Sequence, residues 1–541
     1  MQGAAEKMAA QQRSISVSEF FAKNRHLLGF DNKRKALLTA VKEAVDNSLD
    51  ACEEAGILPE LHIAIEQAGT DRWRVTVRDN GPGVPKSKVP SVFGRLLYGS
   101  KFHRLKMSRG QQGIGISAAG MYGLLTTGQP VRVMSRVVGS QACDLRLAID
   151  TNANRPEVVS DEVASVPWPH GTEVSIELEG AYARGRQSVD EYVELTSIAN
   201  PHAEIHYRPP SGPVTFRRAV EELPAEAREI RPHPHGVELG TMLKMVKETR
   251  AKKVAAFLTT EFCRVSESTA AAICRSAGVS KSASTRSLKP DSAESLYRAL
   301  QNAKLMAPPK NCLSPIGAEA LLAGMLEGVR AEFYTATVRP PSVYRGNPFQ
   351  IEVALAWGGE VGRGEDEHAR LIRFANRVPL LYQPGSCCMH RAVADVRWNN
   401  YGLSQSKASL PRGPLVVLVH LASVWVPYTS EGKESIADYD EIRKEMRLAL
   451  NECGRRLGTL LRRKKKRASQ RKRRDVFGRY IGEVVDALAS MADVNAEELR
   501  ENLEAMARQH TARADEEYDD HGRVMKSPDM PNTVVVDREE E

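Results

Sequence analysis

Residues 32–56, NKRKALLTAVKEAVDNSLDACEEAG, constrain this chain more than any other stretch, because two glycine-rich segments downstream decide how its polar side must be read. At about 100° per residue the stretch is one amphipathic helix, with Leu38, Val41, Val45, Ser48 and Cys52 on a core-facing side. Glu43, Asn47 and Asp50 gather opposite, each three or four residues from the next. A polar side is by itself only what any solvated helix shows. DNGPG at 79–83 and RGQQGIGIS at 109–117 alter that reading. An acid and an amide on one helical face, an Asp at a strand end and a loop of backbone donors are the parts of a nucleotide site.

LHIAIE (61–66) and RWRVTVRD (72–79) alternate at period two, as half-buried strands do. Trp73, Val75, Val77 and Asp79 share one face, so the strand delivers a carboxylate to a sheltered place. A sheltered, ionised acid needs donors, and an adenine amino group is one candidate. Asn80-Gly81 also fits a hairpin turn, but no returning strand follows directly. Instead Gly110, Gly113 and Gly115 lead into ISAAGMYGLL, a helical segment. A glycine loop entering a helix offers free N–H groups and the positive end of the macrodipole, which favour phosphate. No G-K-[ST] closes the loop and the dinucleotide-fold spacing is absent. PVRVMSRVV, ACDLRLAID and GTEVSIELEG then read as antiparallel strands. The first domain is therefore expected to be α+β, helices layered on a mixed sheet.

At 541 residues and 59.7 kDa the chain predicts three or more domains. No apolar run approaches the roughly 18 residues needed to span a bilayer. MQGAAEKMAAQQRS carries no signal-peptide core, so a cytoplasmic protein is expected. The eight cysteines show neither a C-x-x-C pair nor zinc spacing and are expected reduced and buried. Net charge is +8, but ten of the thirteen residues in RRKKKRASQRKRR (462–474) are Lys or Arg. Such a block suits a phosphate backbone or a solvated helix surface equally. From about Arg231 short helical patterns alternate with Ser, Thr and Gly, which reads as a small helical module. Residues 312–329 start a helix, and strands and helices alternate over the next stretch, a second α/β core. A helix from about Asp440 runs into the basic block, a second helical stretch follows, and the polar, acidic end after Arg513 is expected to be disordered.

E-x-x-x-N on a helix, D-x-G-x-G after a strand and a glycine lid before a helix resemble the GHKL ATPases: gyrase, a heat-shock chaperone, histidine kinases and MutL. The longer phrases KEAVDNSLDACEEAGILPE, RDNGPG, YGSKFHR and RGQQGIGISAA resemble, more closely, the B subunits of DNA topoisomerase VI, over roughly 16–461. The resemblance implies an α+β multidomain chain. An N-terminal arm (1–18) precedes a GHKL ATPase α/β sandwich (19–229) and a small helix–two-turns–helix domain (230–310). An α/β transducer domain (311–461) and a basic helical C-terminal extension with an acidic tail (462–541) follow.

It also implies roles. Glu43 is the general base and Asn47 completes the coordination of Mg2+. Asp79 accepts from adenine, and Gly81 and Gly83 let the base approach the backbone. Ser100, Lys101 and the lid of Arg109, Gly110, Gln111, Gln112, Gly113, Ile114, Gly115 and Ile116 wrap the phosphates of ATP. Lys433, in PYTSEGKESIAD, reaches back to the γ-phosphate. On DNA the implied contacts are Arg184 and Arg186 in a basic loop, Lys252 and Lys253 in the helical module, and Trp398 and Tyr401. Asn399 stands where relatives carry a lysine in the W-K-x-Y loop. The implied partners are a separate A subunit in an A2B2 heterotetramer, a second copy of this chain on ATP binding, and double-stranded DNA. A MutL-like clamp, a histidine kinase and a non-hydrolysing DNA scaffold are the competing readings; the helical module, the missing phosphoacceptor helix and the intact Glu43, Asn47 and Asp79 speak against each in turn. Asp79→Asn is expected to abolish nucleotide binding in a titration; unchanged affinity would remove Asp79 from the base pocket.

Overall fold

The computed structural model describes residues 19–20, 23–99, 104–110, 113–150, 153–361, 367–429, 432–492, 494–515, 517–518 and 524–525. The expected N-terminal arm, 1–18, lies outside them, as does most of the acidic end. Helix α1 (Lys33–Glu54) starts where Asn32 Oδ1 accepts from Lys35 N at 2.9 Å, an N-cap that satisfies one of the orphaned donors. Strands β1 (Glu60–Gly69) and β2 (Arg72–Asp79) follow, then the short α2 (Val89–Phe93) and helix α3 (Gly115–Thr127). Next come β3 (Val131–Arg136), β4 (Ala142–Asp150), β5 (Arg155–Ala164) and β6 (Gly171–Glu179). Helix α4 (Val189–Ala199), β7 (Glu204–Arg208) and β8 (Val214–Phe216) complete this layer.

Among the described residues these strands form an eight-stranded sheet ordered β5-β4-β3-β6-β2-β1-β7-β8. Only β1 and β7 run parallel; the other neighbours are antiparallel. Ile63, Ile65, Val75, Val77, Val133, Val174 and Ile176 point to one face, where α1, α3 and α4 bury them in a common core. Ala36, Leu37, Val41, Ala44, Val45 and Leu49 of α1 are all buried, so helix packing takes most of its circumference. Strand β5 escapes a sequence reading because RPEVVSDEVA has no apolar alternation: it is an edge strand, paired only with β4 and exposed along most of its length.

Helices α5 (Leu239–Glu248), α6 (Val254–Glu261), α7 (Glu267–Ser276) and α8 (Pro290–Asn302) close around their own core of Met242, Phe257, Leu258, Phe262, Ile273 and Leu296. Then α9 (Ala318–Gly328) precedes a second sheet. Its strands are β9 (Phe333–Val338), β10 (Ser342–Tyr344), β11 (Asn347–Trp357), β12 (Arg370–Ala375) and β13 (Val378–Pro379), then, after α10 (Cys388–Asp395), β14 (Leu415–Ser423). The order is β10-β11-β14-β12-β13, with β9 also on β11. All nine residues of β14 are buried, as a strand covered on both faces requires. One face packs against α10 and against α11 (Asp440–Met491), through Met446, Leu450, Cys453 and Leu457. The other packs against α9, and α9 in turn packs against α4 of the first sheet.

The basic block does not separate two helical stretches. It lies inside α11, a single helix of 52 residues and about 78 Å, and α12 (Ala496–His510) folds back along it. Arg474 Nε donates to Thr511 Oγ1 at 2.7 Å and Arg467 Nε to Ala514 O at 3.2 Å, so two of the ten cations close the far end of this hairpin. All eight cysteines are free and buried. No described helix is long and apolar enough to cross a membrane.

The two sheets meet through backbone: a Cβ on Gly324 of α9 would sit 2.3 Å from Ile198 O of α4. Gly324→Val is expected to cost about 1–3 kcal/mol by overpacking, read as a lower denaturation midpoint; an unchanged midpoint would mean this contact bears no load.

Candidate functional site

The first sheet, α1 and α3 enclose a cavity of about 630 Å³, within the usual range for small-molecule sites. Its wall includes Glu43 and Asn47 of α1, Asp79 at the end of β2, Gly110 and Gly113 of the glycine loop, Ile114 to Ile116 at the start of α3, and Lys433. Glu43 and Asn47 stay accessible because α1 is otherwise sealed by packing. A Cβ on Gly115 would fall 1.7 Å from Glu43 Oε2, so only glycine lets the carboxylate lie against the first turn of α3. A Cβ on Gly110 would lie 4.0 Å from Asn47 Oδ1. The glycine loop therefore runs over the Glu43–Asn47 strip. Helix α3 has no side-chain cap, which leaves first-turn N–H groups at the cavity.

Asp79 is 7% exposed. Its Oδ1 accepts from Gly81 N at 2.9 Å and Thr172 N at 3.1 Å, and Oδ2 accepts from the Ser48 hydroxyl at 2.9 Å. Burial nevertheless raises its carboxyl above the usual range. Ser48 thus belongs to the site, whereas α1's spacing puts it on the core side; its neighbour across the space is a polar atom that no helical period can foresee. Lys433 is 6% exposed and held at φ +52°, the left-handed region that non-glycine residues enter rarely. Its neighbour Glu434 is ion-paired with Lys35 of α1, which also pairs with Asp31 at 3.2 Å. That ties the Lys433 loop to the helix carrying Glu43.

Several further residues escape a motif reading. Lys35 and Lys42 stand seven apart on α1 and both face the cavity; that spacing was the available signal. Burial lowers the Lys42 pKa. Burial also pushes the Asp46 carboxyl up to about 6, and Tyr192 donates its hydroxyl to Asp46 Oδ1 at 3.0 Å.

Other expected site residues lie elsewhere. Arg109 does not line the cavity: its guanidinium is buried against Asp50 and Glu53 of α1. Asp50 follows it there, paired with Arg109 at 2.8 Å instead of joining Glu43 and Asn47 at the cavity. Gly81 answers to the Asp79 carboxylate and Gly83 to the chain's own backbone. Gly81 N is the donor to Asp79, and at Gly83 (φ +76°) a Cβ would strike Arg136 O at 2.2 Å. Trp398 is no surface contact: it is fully buried and its Nε1 donates to Val393 O at 2.8 Å. Tyr401 packs on Gly454 and Gly458 of α11, its hydroxyl donating to Asn451 Oδ1 at 3.3 Å. Both are too useful inside to be offered outside. Arg184, Arg186, Lys252 and Lys253 are exposed. Ser100, Lys101, Gln111 and Gln112 lie outside the described residues.

Arg109 Nη2 donates to Glu53 at 2.6 Å and to Asn200 at 2.5 Å, and Arg377, from the second sheet, donates to the same Glu53 at 3.2 Å. Arg377 also donates to Ser314 O at 2.7 Å, and His202 Nε2 lies 2.7 Å from Glu53. Beside them Asn376 donates to Ser108 O at 2.9 Å. Burial alone would raise the Glu53 carboxyl, but Arg109 and Arg377 hold it well below the usual range. Burial would likewise lower Arg109, and Glu53 and Asp50 overcome it.

Residues 32–180 match the family described as "Histidine kinase-, DNA gyrase B-, and HSP90-like ATPase", and residues 308–473 match "Topoisomerase VI B subunit, transducer". The type 2 DNA topoisomerase 6 B subunit of Methanococcoides burtonii is 47% identical over 488 residues, covering 90% of this chain and 78% of that protein. The Archaeoglobus fulgidus protein of the same description is 46% identical, covering 88% and 79%. That of Thermococcus gammatolerans is 39% identical, covering 90% and 94%.

Glu53→Gln leaves two buried guanidiniums without their shared carboxylate and is expected to cost about 3–5 kcal/mol at neutral pH. Because the folded pKa is depressed, the wild-type increment is present above the unfolded carboxyl pKa and is lost as pH falls below about 5. Denaturant titrations across pH are expected to show a flatter acid limb for Glu53→Gln; equal stability at pH 7 would contradict the network's weight.

Proposed function

This chain belongs to the family of type 2 DNA topoisomerase 6 B subunits, and from that premise we propose how its cavity serves as the ATP-binding and ATP-hydrolysing site of a type IIB DNA topoisomerase. The observation that carries the reading is the convergence of Glu43, Asn47, Asp79, the start of α3 and Lys433 on one cavity. Asp79, buried and fixed by three donors, accepts from the adenine amino group at the closed end. The α3 N-terminus and its glycine loop take the phosphates, assisted by the cavity-facing Lys42. Glu43 orients and deprotonates the attacking water; a positioned base is worth about 10²–10⁴ in rate. Asn47 offers a hard oxygen beside Gly110, suited to Mg2+, which supplies charge neutralisation on the phosphates when bound. Lys433 stabilises charge growing on the γ-phosphate. Its loop reports that contact to the second sheet, because Lys35 and Glu434 hold loop and α1 together.

Residues 19–229 act as the ATPase domain, 230–310 as the helix–two-turns–helix domain and 311–461 as the transducer, with 462–541 an extension. ATP clamps two copies of the chain together, and hydrolysis resets the gate while one duplex passes another at the nucleoid. Cleavage of DNA falls to a separate A subunit, in an A2B2 assembly. Arg184, Arg186, Lys252 and Lys253, exposed on the surface, are the DNA contacts retained in this reading; Trp398 and Tyr401 are not.

Glu43→Ala is expected to bind ATP as the wild type does and to hydrolyse it at least about 100-fold more slowly. With the A partner, supercoiled DNA is relaxed only when ATP is present. Relaxation without nucleotide, or hydrolysis undiminished in Glu43→Ala, would overturn the assignment.

A further inference from the structure

On the solvent side of the first sheet, away from the nucleotide cavity, the parallel register of β1 and β7 sets Glu60 beside Glu204 and His62 beside His206. The intervening Leu61, Ile63, Ile205 and Tyr207 point into the core, so the four polar side chains share the outer face. His62 Nε2 lies 3.0 Å from Glu60 Oε1; His206 Nε2 lies 3.8 Å from the same oxygen and 3.2 Å from Glu204 Oε1. Ligand atoms of Glu60, His62 and His206 all fall within 4.8 Å of one another. The two imidazoles stack at 4.5 Å between centroids.

We infer that Glu60, His62 and His206, with Glu204 beside His206, form a binding site for a divalent transition ion of the zinc class. Tetrahedral zinc with bonds near 2.05 Å separates neighbouring ligand atoms by about 3.3 Å, and the spacings above straddle that value. Two imidazole nitrogens with two carboxylates are the borderline donor set that zinc accepts and that calcium or magnesium does not favour. A supporting group is in place. His206 Nδ1 lies 3.4 Å from Thr215 Oγ1 of β8, and the tautomer that donates there turns its Nε2 lone pair to the carboxylates. All four side chains are between 32% and 47% exposed, so an ion reaches them from solvent. A bound ion would clip together the one parallel strand pair of the sheet, whose two strands lie far apart in sequence.

The test uses the full chain stripped with chelator and titrated with zinc chloride by calorimetry at pH 7.5. One ion per chain is expected, with affinity lowered at least tenfold in His62→Ala and in His206→Ala. No heat, or the same affinity in the double variant, overturns the site. Cobalt on the wild type gives a second, variant-free reading. Ligand-field absorption of a nitrogen–oxygen tetrahedral site supports it, whereas a thiolate charge-transfer band would move the ion to cysteine and overturn it.

Discussion

Glu53 sits between two buried guanidiniums that come from segments remote in sequence, Arg109 beside the glycine loop and Arg377 in the turn between β12 and β13. Neither cation could be buried alone: an unpaired charge in a low-dielectric interior costs several kcal/mol. Sharing one carboxylate, with Asp50, Asn200 and Ser314 accepting from further Nη groups while both Nε atoms stay unpartnered, makes the burial tolerable only when the two sheets are docked. The ion cluster is therefore a condition on how the halves fit, more than a source of net stability. It also fixes Ser108 and Arg109, and with them the root of the loop that covers Glu43 and Asn47.

From Arg377 the polar chain continues. Arg377 N donates to His420 Nε2 at 3.0 Å, His420 Nδ1 lies 2.6 Å from Glu352, and Glu352 accepts from Ile316 N and Gly317 N at the start of α9. Burial would raise the Glu352 carboxyl, but His420 holds it below the ordinary range. A displacement of the glycine loop thus has a hydrogen-bonded route into the second sheet. A second tie, through Lys35 and Glu434, reaches the loop carrying Lys433. Two links of different chemistry join the cavity to the same sheet, which suits a protein whose nucleotide state must be felt at a distance.

Reading motif by motif reached the cavity-lining residues Glu43, Asn47, Asp79 and the glycine loop because their placement is tied to local spacing: one helical turn, a strand's alternation, a loop entering a helix. It misplaced Arg109, Trp398 and Tyr401 for a common reason. Arginine and aromatic side chains suit nucleic-acid phosphates and bases, yet their length and apolar area suit the interior equally, and only the surroundings choose between the two. Ser48, Lys42 and Asp46 were overlooked for the converse reason, since what matters about each is a neighbour distant in sequence. Strand β5 was invisible because an edge exposed on both sides has no reason to alternate.

The sequence alone determined the helix that carries the polar pair, the strand that ends on Asp79 and the glycine loop that enters a helix, each dictated by contacts within about a dozen residues. The tertiary structure alone decided that the loop before α3 leans on Glu53, that Lys433 enters a cavity built nearly 400 positions earlier in the chain, and that the basic block is one uninterrupted helix folded against its own end. Those outcomes rest on pairing charges and filling volume between segments remote in sequence. No local period encodes which distant partner will be there.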